Sequence, residues 1–108
     1  MYKLEILQIA KADLKGIKLY MESKLNNTML YNKLLSDIDK NFKIIQTFPY
    51  SCPIYYFDGF KKRDFRSFKV KNYIIFYTIL TENNTIVIVR ILHYKMNALD
   101  VVNSYYGF

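Results

Sequence analysis

The hydrophobic period of this 108-residue chain changes at Pro49, and the change decides which half can be helical and which half can build a sheet. Before it, Ala10, Leu14, Ile17, Met21 and Leu25 recur at steps of three or four, with Lys11, Lys15, Lys18 and Glu22 on the opposite face. That spacing predicts an amphipathic helix beginning near Ile9. Asn26-Asn27-Thr28 breaks the pattern and supplies a capping residue for a second helix, whose Leu30, Leu34, Ile38, Phe42 and Ile45 fall on one stripe. This helix must end by Phe48, because proline has no amide to continue the ladder and disfavours helical geometry in the residue before it. Residues 49–62, with Pro53 and Gly59, read as a loop.

Beyond the loop, Phe65 to Val70, Tyr73 to Leu80 and Thr85 to Tyr94 are rich in β-branched and aromatic residues, and Glu82-Asn83-Asn84 supplies a turn between the last two. A β-meander is expected. Tyr2, Leu4 and Ile6 alternate, which suits a short opening strand, and Ala98 to Tyr105 allows a short C-terminal helix. The order is therefore β-α-α-β-β-β. It predicts a single α+β domain over residues 1–108, with an N-terminal helical hairpin on one face of a mainly antiparallel sheet of about four strands. The first strand joins the meander, and the other face stays partly open to a ligand.

Composition matters for the choice of partner. Lys61 to Lys71 holds six of the 16 basic side chains and one acid, Asp64, so a local charge of +5 carries most of the net +7. Such an excess favours a polyanion, either nucleic acid or an acidic protein segment, over the alternative of a merely solvated lysine-rich surface. Lys61, Lys62, Arg63, Lys69, Lys71 and Lys95 are the phosphate-binding candidates. The single cysteine, Cys52, allows no internal disulfide, and the single histidine, His93, leaves no cluster with metal-ligand spacing. No metal or cofactor is expected, and a reducing cytoplasm fits. The N-terminus lacks the pattern of a signal peptide, and the longest apolar runs are about half of the ~20 residues a membrane-spanning helix needs.

Strict alternation along the last strand puts Val87, Val89, Ile91 and His93 on one face, expected to pack on the helices. Ile86, Ile88, Arg90, Leu92 and Tyr94 fall on the other. A guanidinium rarely enters a core without an acid. Arg90 thus reads either as a binding or catalytic group on the open face or as one half of an ion pair with Asp58, Asp64 or Asp100. His93 reads as a core-edge histidine with one hydrogen bond, or as a catalytic group. Tyr73 and Tyr77 share a strand face and either fill the space under the helices or stack on bases. No paired acids, GxSxG or P-loop occur, and Gly16, Gly59 and Gly107 are too scattered to cradle a phosphate.

Four strings, ADLKGIKLYM, IIQTFP, RSFKVKNYIIFYTI and IVIVRILHYKMN, occur in this order between residues 12 and 97, in a match that spans about residues 10 to 102. Through them the chain resembles the RelE/ParE superfamily of bacterial type II toxins. The resemblance implies a small toxin that stops growth when free and is silenced by a cognate antitoxin. That partner is expected to be acidic and to cover the basic sheet face or the helix pair. RelE-like members cut mRNA in the ribosomal A site, whereas ParE-like members bind DNA gyrase and trap it on DNA. Ribosome-dependent mRNA cleavage is the first expectation, with gyrase inhibition by binding, or non-catalytic RNA binding, as the alternative.

Cleavage by 2′-hydroxyl attack needs a proton acceptor, a proton donor and cations for the phosphate. The two arginines of the RelE-like pattern fall here at Lys69 and Lys95, and its tyrosine at Val101. A nuclease would therefore recruit Arg66, Arg90, His93 and Tyr94 as its catalytic set. In that set His93 or Tyr94 moves the proton, and Arg66 and Arg90, with Lys69 and Lys95, hold the phosphate.

Overall fold

The structure is a computed structural model that describes residues 1–54 and 65–95. Its elements are β1 (Lys3–Ile6), α1 (Gln8–Ser23), α2 (Thr28–Thr47), β2 (Arg66–Val70), β3 (Tyr73–Leu80) and β4 (Thr85–His93). The expected order β-α-α-β-β-β is the observed one. Several expectations fall outside the described residues: the helix over 98–105, the cations Lys61, Lys62 and Arg63, the acids Asp58, Asp64 and Asp100, and Val101.

The hairpin between the helices is made by two asparagines. Asn26 takes φ 51°, a left-handed conformation that asparagine tolerates better than most residues, and the next amide, that of Asn27, returns to the Met21 carbonyl at 2.9 Å. The Asn27 side chain then accepts from the Leu30 amide at 3.0 Å, closing the open N-terminus of α2. Such a cap is worth about 1 kcal/mol.

The sheet has the order β1-β4-β3-β2, with β1 parallel to β4 and the other neighbours antiparallel. Both helices lie on one face. Leu34, Ile38 and Ile45 of α2 and Ala10 of α1 pack with Ile75, Tyr77, Ile86 and Ile88 of the sheet in one buried cluster. Truncating Ile38 there to alanine would cost about 2–5 kcal/mol. On the opposite pleat, Phe65, Phe76, Val87, Val89 and Leu92 form a second buried cluster, so that face is apolar rather than open along the centre of the sheet.

The alternation expected of β4 fails at one residue. Phe76 pairs with Arg90 but Tyr77 pairs with Ile88, so Val89 is an extra residue, a β-bulge. Before the bulge Ile86 and Ile88 face the helices, and Val87 and Val89 face away, the reverse of the expectation; after it, Ile91 faces the helices as expected. One inserted residue shifts the parity of everything on one side of it.

The bulge also marks where β1 runs out. The Leu7 amide donates to the Ile88 carbonyl at 3.0 Å, after which the chain turns into α1. Beyond that point the edge of β4 is served by a side chain instead of a strand: the Ile91 amide donates to Asp13 Oδ2 at 3.0 Å.

Candidate functional site

Three groups of side chains gather the residues singled out from the sequence, and they lie in different places. The first is the junction of α1 and the bulge. Arg90 donates through Nε to Asp13 Oδ2 and through Nη2 to Asp13 Oδ1, both at 2.8 Å, a two-pronged pair in a setting where Arg90 is only 9% exposed. Arg90 is thus directed to α1, not to an open sheet face. Its partner Asp13 is not one of the acids expected above, and the available signal for it is an acid one step off the Ala10-Leu14-Ile17 stripe.

The second group is at the other end of β2. Arg66 Nη1 donates to the Cys52 carbonyl at 2.6 Å and the Tyr50 carbonyl at 3.4 Å, and the guanidinium lies over the Tyr50 ring, 5.1 Å from its centroid. Beside it, the Tyr77 hydroxyl donates to the Pro49 carbonyl at 2.8 Å. Burial pushes the Tyr77 phenol well above its ordinary pKa, with the neighbouring Cys52 thiol adding to the shift. These contacts fasten the connection after α2 to the sheet.

The third group surrounds the end of β4. The His93 ring meets Tyr73 edge-on at 5.4 Å and lies against Tyr94 at 4.8 Å with a 31° tilt. The strand ends at His93, and the Tyr94 amide turns to the Asn72 carbonyl at 2.8 Å, so the two rings touch instead of facing opposite ways. Tyr94 is 47% exposed, and two ammonium groups approach its ring, Lys69 at 5.5 Å and Lys95 at 5.9 Å. The Lys95 amide donates to His93 Nδ1 at 3.1 Å. His93, Tyr94, Lys69 and Lys95 are therefore one cluster.

Arg66 is not part of it. It lies three residues from Lys69 along β2, about 10 Å at 3.3 Å per residue, and an odd number of steps puts the two on opposite faces. Lys71 points elsewhere too. It sits in the β2 to β3 turn at φ 53° and reaches Asp37 of α2 at 3.7 Å.

Next to the cluster a cleft of about 630 Å³ opens between α1, the start of α2 and the ends of β3 and β4. Gly16, Tyr20, Met21, Leu25 and Leu30 line its apolar part, and His93 belongs to its lining as well. Burial raises the Tyr73 phenol's pKa in its wall, and Tyr20 adds to the effect. Among the described residues no three His, Cys, Asp or Glu side chains converge as metal ligands, and no helix is long and apolar enough to cross a membrane.

A family model for the ParE toxin of the type II toxin-antitoxin system, parDE, matches residues 4–98. No curated protein matches the chain. Among solved structures it is similar to the chromosomal ParDE toxin-antitoxin system of P. aeruginosa, at 19% identity and TM-score 0.67 over 88% of this chain and 98% of that one. The isolated RelE toxin of E. coli aligns over 100% of both chains at 9% identity and TM-score 0.59. The archaeal RelE-RelB complex of Pyrococcus horikoshii aligns over 87% of this chain and 96% of that one, at 13% identity and TM-score 0.55. At these identities the likeness to the solved structures is one of fold.

Proposed function

The chain belongs to the ParE toxin family of type II toxin-antitoxin systems, and from that premise we propose that it arrests growth by binding DNA gyrase rather than by cutting mRNA. In this reading a cognate acidic antitoxin silences it. The cluster at the end of β4 is the contact surface for its target.

The observation that carries the choice is the hydrogen bond from the Lys95 amide to His93 Nδ1. A ring nitrogen that accepts this bond holds no proton, so the proton of the neutral imidazole is on Nε2. Attack by a 2′-hydroxyl needs a group that accepts a proton. The ammonium groups of Lys69 and Lys95 only donate, and the neutral Tyr94 phenol is a weak base. Asp13, the carboxylate at the adjoining cleft, is occupied by Arg90 and the Ile91 amide. The arrangement attracts and holds anions far better than it moves protons. Arg66 and Arg90, needed in the cleavage reading to hold phosphate, are both committed to internal acceptors.

Cleavage on the ribosome has one observation in its favour: the two lysines at the RelE-like arginine positions meet around a single exposed tyrosine beside the histidine. There the missing acceptor would come from the ribosome.

Induced expression with parallel readouts separates the two. We expect loss of supercoiling by purified gyrase, accumulation of cleaved DNA, and transcripts that stay intact by primer extension. Cut transcripts with fully active gyrase would overturn the gyrase reading in favour of the nuclease.

A further inference from the structure

We propose that the cleft between α1 and the ends of β3 and β4 is a binding site for a small amphiphilic carboxylate. Tyr73 and His93 hold the anionic head, and the apolar chain lies between the end of α1 and the start of α2. Such a site is additional to the target surface at the end of β4 and does not depend on which target the chain engages.

The Tyr73 hydroxyl is the starting point. Tyr73 is 8% exposed, yet its hydroxyl makes no hydrogen bond to any described residue. A buried phenol ordinarily finds an acceptor, as Tyr77 does at the Pro49 carbonyl, because a dry and unpaired hydroxyl is costly. Tyr73 lines the cleft instead, so its partner must come from there. Burial keeps the phenol in its neutral form, with a proton to donate. His93 offers a second donor to the same space. Its Nδ1 accepts from the Lys95 amide, which leaves the proton on Nε2, and no described residue accepts it. The two rings meet edge-on with centroids 5.4 Å apart, so both donors belong to one part of the wall.

The charges of the lining choose the head. Lys71 is part of the wall, and its part-exposed contact with Asp37 at 3.7 Å is one that a competing carboxylate can replace. Among the described residues of the lining Asp13 is the one carboxylate, and it is already matched by Arg90 and the Ile91 amide. Donors therefore outnumber free acceptors, in a chain whose net charge of +7 draws anions in. A carboxylate can accept from both donors at once, one on each oxygen. The rest of the wall chooses the body. Met21, Leu25, Leu30 and Leu34 carry the cleft to the facing ends of the two helices, and Gly16 leaves room beside them, since a Cβ built there meets no atom within 4 Å. A volume of about 630 Å³ suits a small molecule, and a mostly apolar wall with a few polar groups is the usual lining of such sites. A sugar or nucleotide would leave its many polar atoms unmatched against these side chains; an apolar chain with one charged end does not.

The test titrates the untagged full chain with sodium decanoate, followed by calorimetry and by proton NMR. His93 is the chain's one histidine, so its ring gives an isolated signal. We expect a single decanoate per chain, a His93 signal that moves and saturates with binding, and no detectable binding of butyrate, whose short chain leaves the apolar wall uncovered. Decanol, with the same chain and no charge, should bind about 10-fold more weakly. Tyr73→Phe removes a hydroxyl without a partner, so it should fold as the wild type does and bind decanoate about 10-fold more weakly. Gly16→Leu favours the helix and places a side chain in the cleft, and it should weaken binding at least as much. Decanoate bound equally by the wild type and either variant, or bound without moving the His93 signal, would overturn the proposal. Decanol bound as tightly as decanoate would overturn it too, by leaving an apolar groove with no anion site. Uptake of several decanoates per chain, the behaviour of an amphiphile on any basic surface, or of none, would do the same.

Discussion

Asp13 joins two parts of the fold that no backbone ladder connects. Its two oxygens accept from Arg90 and from the Ile91 amide, so one carboxylate satisfies both a buried guanidinium and the strand edge that β1 is too short to reach. Two charges taken out of water are stable together, and one alone is not. Asp13→Ala should therefore destabilise the protein by about 3–5 kcal/mol in urea unfolding, because Arg90 keeps its charge and loses this partner. Removing both charges at once, as Asp13→Leu with Arg90→Met, should recover a substantial part of that loss. A double variant as unstable as Asp13→Ala would show that the Ile91 amide and not the ion pair is what the carboxylate serves.

Between elements, the connection after α2 is held by Arg66 on the Cys52 carbonyl and by Tyr77 on the Pro49 carbonyl. The Tyr77 hydroxyl is part of a fully buried side chain, and its pKa lies above the unfolded value of about 10. The folded state thus holds this proton more tightly than the unfolded chain. Its contribution to stability is complete below pH of about 10 and falls as pH rises above that. Melting temperatures should decline above about pH 10, and Tyr77→Phe should decline less steeply, after an initial cost of about 1–2 kcal/mol for the lost hydrogen bond. Tyr31 and Tyr73, also raised by burial, leave a residual decline in the variant. Identical slopes would mean that the phenol ionises without opening the connection.

The helices and strands were legible at this scale because period is a local property: Leu34, Ile38, Phe42 and Ile45 repeat within one element, and Pro49 stops it. The bulge was not legible, since Val89 is as β-favouring as its neighbours and only the pairing with β3 reveals the extra residue. From the missed bulge follow both the inverted assignment of Ile86 to Val89 and the misdirected Arg90. Its ion-pair partner Asp13 is 77 positions away, beyond the reach of any local pattern. Conversely, the grouping of Lys69, His93, Tyr94 and Lys95 follows from the meander, whose register places Tyr73 opposite His93.

For the whole molecule, the question is whether net charge or local arrangement recruits the target. A charge of +7 on a small protein steers any polyanion, the proposed gyrase-DNA target included, and this long-range term depends on the total more than on position. The cluster adds something positional, because Lys69 and Lys95 converge on one exposed ring. Two double variants with the same loss of charge separate these effects. Lys69→Ala/Lys95→Ala removes the cluster's cations, and Lys3→Ala/Lys40→Ala removes two exposed cations elsewhere. Each change is at the surface and should leave stability within about 0.5 kcal/mol. If the proposed gyrase reading holds and both terms operate, association with the gyrase-DNA complex at low salt slows in both variants, while the dissociation rate rises only in the cluster variant, by about 10-fold. Raising the salt concentration should erase the difference in association and preserve the difference in dissociation, since screening acts on the field and much less on a contact already made. Equal dissociation rates in the two variants would remove the cluster from the target interface and leave the net charge as the sole attraction.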